Sequence, residues 1–127
     1  MRVALHPELE ALTGKIIGCA FTVARTLGHG FLETVYRNAL AEELTASGLR
    51  ISVETPYPVH YRDKPVGRYF ADLVVENTVI VETKAVDALV KAHQAQLLNY
   101  LKASGLPVGL LFNFARPSLE MKRVLLG

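Results

Sequence analysis

Cysteine is almost absent from this sequence. The one residue, Cys19, excludes an internal disulfide and suits a reducing compartment. It stands in an apolar helical run, where a small core residue is expected rather than a nucleophile. Long apolar runs are missing as well. Residues 16–24 are too few to span a bilayer and are bounded by Lys15 and Arg25. Glu8 and Glu10 precede that stretch and no small-residue cleavage site follows, so neither a membrane span nor a signal peptide is expected, and a cytoplasmic location is. Charge of one sign is not in surplus either. A formal net charge of +2 neither demands nor excludes a nucleic-acid partner, and any basic surface must be local. No internal repeat, low-complexity segment or linker interrupts the chain. Its 127 residues, 50% hydrophobic and 20% charged, fit one globular domain over residues 1–127 with room for a core.

Taken in order, Pro7 suits a first helical position, and Leu9, Leu12, Ile16, Ala20, Val23 and Leu27 recur at helical spacing until Gly28-His29-Gly30. A second helix is predicted over residues 32–47, stopped by Gly48, with Leu32, Val35, Ala39, Leu40 and Leu44 as its apolar face. Glu33 and Tyr36 are three apart and neighbour each other on an adjoining face. An acid in a first turn is, taken alone, explained by the helix dipole. Residues 51–54 and 57–61 read as strand segments, and Pro58 points to an edge position or a strand start. Residues 62–65 form a polar turn. Arg62, Lys64 and Arg68 around it are either a phosphate-contacting rim or a plain solvated turn. A further strand covers residues 66–75. Asp87 is the expected N-cap of a third helix that reaches Ala103, before Gly105. That helix is apolar at Leu89, Val90, Leu97, Leu98 and Leu101, and carries His93, Gln96 and Tyr100 on one strip. Residues 108–112 suit a buried strand added in parallel by a crossover, and residues 121–126 a last edge strand.

Chemistry concentrates in residues 72–84. Two β-branched runs flank Asn77, with Asp72 five residues before it and Glu82 five after. An odd-numbered loop centred on Asn77 makes Asp72 and Glu82 cross-strand partners on one face, whereas a two-residue loop sets them on opposite faces. Glu82 and Lys84 share a face in both registers. Such a trio is often only a solvated sheet face. Here the apolar run Val79-Ile80-Val81 leads into it, and charges ending a buried strand are costly unless paired, metal-bound or used. Adjacent carboxylates repel each other, which a hard divalent cation relieves.

Several segments carry a family resemblance: Gly30-Phe-Leu-Glu33-Thr-Val-Tyr36, Tyr61-Arg-Asp-Lys-Pro-Val-Gly67, Tyr69-Phe-Ala-Asp72-Leu, Glu82-Thr-Lys84-Ala, Ala95-Gln96-Leu-Leu-Asn-Tyr100-Leu and Gly109-Leu-Leu-Phe-Asn113-Phe. In this order the chain resembles the family named for its motif GxxExxY, within the PD-(D/E)XK nuclease superfamily. The proline usual before the first acid is absent, since Ala71 precedes Asp72. The resemblance implies an α/β, restriction-endonuclease-like core, with a mixed four- to five-stranded sheet flanked by helices in the order α-α-β-β-β-α-β. It implies Mg²⁺ or Mn²⁺ ligated by Asp72, Glu82 and the backbone carbonyl of Thr83, with Glu33 beside the ion directly or through water. Lys84 would hold or deprotonate the attacking water. Gln96 and Tyr100 resemble the Gln-x-x-x-Tyr element of RecB-like nucleases, which positions the strand and the metal-bound water. The implied activity is hydrolysis of a phosphodiester in nucleic acid, DNA foremost, with a homodimer or an accessory protein as compatible partners. The alternative is a non-catalytic module that holds nucleic acid or a nucleotide within a larger complex. A chain this small offers few phosphate contacts, so its binding would be weak and salt-sensitive.

Overall fold

A computed structural model describes residues 5–127. Helix α1 (Pro7–Leu27) starts where Pro7 fixes φ, and the His6 ring nitrogen accepts the Glu8 N–H at 3.2 Å. Ile16, Ala20 and Val23 form its buried stripe. It ends at Gly28, whose φ of 70° suits glycine. Helix α2 (Glu33–Ala46) buries Tyr36, Leu40 and Leu44. Both helices pack on one face of a sheet, over Leu73, Val75, Val79, Val81, Leu110 and Phe112.

That sheet has five strands in spatial order β1-β2-β3-β4-β5. They are β1 (Ile51–Tyr61), β2 (Lys64–Val75), β3 (Val79–Lys84), β4 (Val108–Asn113) and β5 (Glu120–Leu125). Only β3 and β4 run parallel, and helix α3 (Lys91–Ser104) makes the crossover between them. The result is the mixed, helix-flanked sheet expected, in the expected order, with the last edge strand present. Helix α3 covers the other face, over Val74, Ile80 and Leu111. It lies so close that a Cβ on Gly109 of β4 would stand 2.7 Å from the Leu97 side chain.

Three local expectations change. First, the third helix starts at Lys91, not at Asp87; its N-cap is Val90, whose N–H donates to His93 Nδ1 at 3.0 Å. Residues 85–90 are instead a loop fastened from β4, described below, and the anchoring delays the helix. Second, residues 51–61 form one unbroken strand that includes Pro56 and Pro58. β1 is an edge strand, where a missing N–H is tolerated on the open side. Third, β2 begins at Lys64, because Arg62 and Asp63 make a two-residue turn with φ of 51° and 63°.

β2 pairs with β3 only through Leu73, Val74 and Val75. Residues 56–70 therefore extend beyond the sheet as a two-stranded arm. Its charges are Arg62, Lys64 and Arg68 against Asp63 alone, a balance of +2, which is the whole formal excess of the chain. The arm also turns about its own axis. Leu73 and Val75 belong to the α1–α2 side, yet Ala71 and Tyr69 face α3. The exchange falls at Asp72, opposite Glu54, whose φ is 51°.

Candidate active site

The hairpin loop is Glu76-Asn77-Thr78, an odd number of residues, and the β2–β3 ladder closes with Leu73 opposite Val81. One step further come Asp72 and Glu82. There the backbone ladder stops and the side chains replace it. Glu82 Oε2 accepts the Asp72 N–H at 2.6 Å. Asp72 Oδ2 accepts the Thr83 N–H at 2.9 Å and the Thr83 hydroxyl at 3.3 Å. Each carboxylate thus satisfies the other strand's backbone with one oxygen and keeps its second oxygen free of hydrogen bonds among the described residues. Lys84 turns its carbonyl to β4, accepting the Phe114 N–H at 2.9 Å. Thr83 gives its N–H to the β2 side, and in an extended strand the carbonyl of the same residue points the same way. The Thr83 carbonyl therefore faces the gap where β2 and β3 part.

Glu82 is only 4% exposed. Burial, reinforced by the Asp72 charge, pushes its carboxyl up to about 8, against the pull of the Asp72 N–H and Lys84. Glu33 opens α2 at the rim of the same group. Partial burial raises its carboxyl too, with Asp72 adding to the effect, while Lys84 and the Ala85 backbone N–H oppose it. Lys84 is half-buried, and its Nζ donates to Gln96 Oε1 at 3.5 Å. Tyr100 is buried one turn further along α3. Burial first, then the charges of Glu82 and Asp72, pushes its phenol up to about 12. The six side chains singled out in the sequence thus gather around the splayed end of the hairpin. Glu33 reaches it from α2, Asp72, Glu82 and Lys84 from the sheet, and Gln96 and Tyr100 from α3.

Two supporting groups are not apparent from spacing. Tyr36, three residues after Glu33, is fully buried. Its hydroxyl donates to the Gly28 carbonyl at 2.6 Å and accepts the Phe31 N–H at 3.1 Å. It pins the turn that sets the start of α2, and hence Glu33. Asn113 is fully buried at the end of β4. Its amide donates to the Val86 carbonyl at 2.8 Å and to Glu120 Oε1 at 3.0 Å, and its oxygen accepts the Val86 N–H at 3.1 Å. Glu120 in turn accepts the Leu89 N–H at 3.0 Å. This clamp holds the loop between Lys84 and α3, and with it the spacing of Lys84 from Gln96. The signal in the sequence was a single amide ending an otherwise apolar strand.

The donors suit a hard divalent cation: Asp72 and Glu82 each keep one oxygen without a hydrogen-bond partner among the described residues, and the Thr83 carbonyl lies on the β2 side of β3. Among the described residues no group of three or more His, Cys, Asp or Glu side chains is placed to hold a metal ion, so water and substrate oxygens would have to complete the coordination. No helix among the described residues is long and apolar enough to cross a membrane.

No curated protein matches the sequence. Among solved structures, the crystal structure of SSO0001 is similar, with a TM-score of 0.57 at 16% identity over 72% of this chain and 48% of that one. The chain spans about half the length of that structure, and at this identity the likeness concerns the fold. Residues 10–124 match the PD-(D/E)XK nuclease superfamily, whose nucleases generally use divalent metal ions. Matched along almost its whole length, and folded as a mixed sheet flanked by helices, the chain belongs to the PD-(D/E)XK nuclease superfamily.

Proposed function

We propose that this chain hydrolyses phosphodiester bonds in nucleic acid, DNA foremost, with Mg²⁺ or Mn²⁺, and that it belongs to the GxxExxY branch of the superfamily. One observation carries the reading: Asp72 and Glu82 replace the backbone ladder at the end of a buried hairpin, each with an oxygen to spare, two residues before Lys84. A carboxylate pair that served only to close the hairpin would not require that lysine, nor the amide of Gln96 beside it.

In this reading Asp72, Glu82 and the Thr83 carbonyl hold the ion, with Glu33 beside it directly or through water. When bound, the ion supplies a lowered pKa for water and neutralises charge on the phosphoryl oxygens. Lys84 holds the attacking water by its Nζ, or takes its proton, and donates to the charge that builds on the phosphate. Gln96 orients Lys84 through its Oε1 and, with Tyr100, lines the path of the strand. The basic arm would gather phosphates farther out.

Titrating Mg²⁺ and Mn²⁺ against labelled single-stranded and duplex DNA tests this, with Lys84→Ala and Asp72→Asn in parallel. The expected result is metal-dependent cleavage, lost by about a hundredfold or more in each variant. Calorimetry should show divalent binding kept in Lys84→Ala and lost in Asp72→Asn. Divalent-independent binding of DNA that survives Lys84→Ala, with no cleavage by the parent chain, would identify a non-catalytic module instead.

A further inference from the structure

A cleft of about 530 Å³ opens between the last turns of α3 and the flank of the arm, next to the site described above. Its walls carry Tyr69 from β2, His60 from β1, and Asn99 and Lys102 from α3. No acidic side chain lines it. Tyr69 is shared between the two places: it borders the cleft, and its ring lies 4.6 Å from that of Tyr100, tilted by 50°. Along α3 the order Gln96, Asn99, Tyr100, Lys102 leads from Lys84 into this cleft. Gln96 and Lys102 are six positions apart on the helix, an axial rise of about 9 Å. That is the reach of a neighbouring nucleotide rather than a distant one.

The chemistry is specific in kind. An aromatic ring offers a stacking surface to any base, Asn99 offers donor and acceptor to a base edge, and Lys102 offers a cation to a phosphate. A base inside a duplex is paired and stacked, and would have to be flipped out to reach Tyr69. We propose that the cleft holds one unpaired nucleotide of the strand whose scissile phosphate lies at Asp72, Glu82 and Lys84, its base against Tyr69 and its phosphate at Lys102. The proposal rests on the nuclease reading and adds to it a substrate class, single-stranded nucleic acid or a single-stranded segment beside the cut.

The test is binding of a short single-stranded DNA and of its duplex by the full chain, in Ca²⁺ and again in EDTA, with 2-aminopurine placed at successive positions. Single strands should bind more tightly than duplex, and one 2-aminopurine position should be quenched by stacking. Tyr69→Leu should weaken single-strand binding about tenfold or more and remove the quenching, while Tyr69→Phe restores both. Lys102→Glu, exposed in the last turn of α3 where the helix dipole makes the change cost only about 1 kcal/mol, should weaken binding and lower the slope of log K against log salt by about 0.7. Equal affinity for single strands and duplex would overturn the proposal. So would no single-strand binding at all, or Tyr69→Leu and Lys102→Glu chains that stay folded and bind as the parent does. The two readings fail separately. Cleavage of DNA unchanged in Tyr69→Leu and Lys102→Glu removes the cleft and leaves the nuclease. The expected binding pattern without cleavage removes the nuclease and leaves the cleft.

Discussion

Glu82 is the residue whose state depends most on what surrounds it. Its carboxyl stands near 8 in the folded chain, against an ordinary 4.5, because burial and Asp72 both disfavour the anion. The folded chain therefore holds more protons than the unfolded one between those values, and its stability falls as pH rises through that window. The raised Glu33 carboxyl acts in the same direction. Thermal unfolding in EDTA should show Tm dropping by about 5 °C or more from about pH 5 to about pH 8, with a much flatter profile for Glu82→Gln. Adding Mn²⁺ at the upper end should recover the loss, because an ion bound only by the folded chain displaces the proton and stabilises it. Tyr36 works at the same scale without charge. Tyr36→Phe removes both bonds that fasten the turn before α2. A loss of about 1–3 kcal/mol in urea unfolding is the expected outcome.

Between elements, the geometry of the site depends on how α3 sits on the sheet. Two contacts decide this. Gly109 lets Leu97 seat directly on β4, and an added methyl would meet that side chain at 2.7 Å. Gly109→Ala should cost about 1–3 kcal/mol and move α3 outward, read as a lower denaturation midpoint with faster amide exchange in α3. Asn113 and Glu120 fasten the loop that feeds the helix. Asn113→Ala leaves the Val86 backbone groups without their partner, for a loss of about 2–4 kcal/mol. Divalent affinity should change far less than any cleavage rate, since Asp72 and Glu82 stay on the sheet while Lys84 loses its fixed distance from Gln96.

Across the whole molecule, charge is segregated. Outside residues 56–70 the acids and bases cancel, and the arm alone carries the +2 excess. Arg68 lies over the Phe70 ring at 5.3 Å and Arg62 over Tyr61 at 5.5 Å, so these cations are mounted on exposed aromatic groups. A chain replaced at Arg62, Lys64 and Arg68 by Gln should lose only a few degrees of Tm, because the two contacts removed are exposed cation–π pairs worth about 0.5–1 kcal/mol each. Its salt slope for single-stranded DNA should fall by about 2, at about 0.7 per lost phosphate contact. An unchanged slope in a salt titration would show that the arm lies away from the nucleic acid.

Much of this arrangement is legible in the order of residues. Helical spacing marks α1 and α2, and β-branched runs mark the central strands, because burial of one face imposes those periods on any chain. The separation of Asp72 and Glu82 about Asn77 sets them opposite each other once the loop is odd, because they stand one step beyond the last ladder pair, Leu73 and Val81. Lys84 follows Glu82 on the same face because side chains alternate along a strand. What spacing alone does not reveal rests on contacts between segments far apart in the chain. Asp87 has the chemistry of an N-cap, yet Asn113, 26 positions later, holds the preceding loop and moves the helix start to Lys91. Tyr36 looks amphipathic on its helix, yet Phe114 stacks on it at 4.7 Å and encloses it. The raised Glu82 carboxyl and the cleft between Tyr69 and Lys102 exist only when β2, β3 and α3 are brought together. Local propensity governs which elements form; desolvation and reach across space, which act only in the folded chain, govern what their side chains can do.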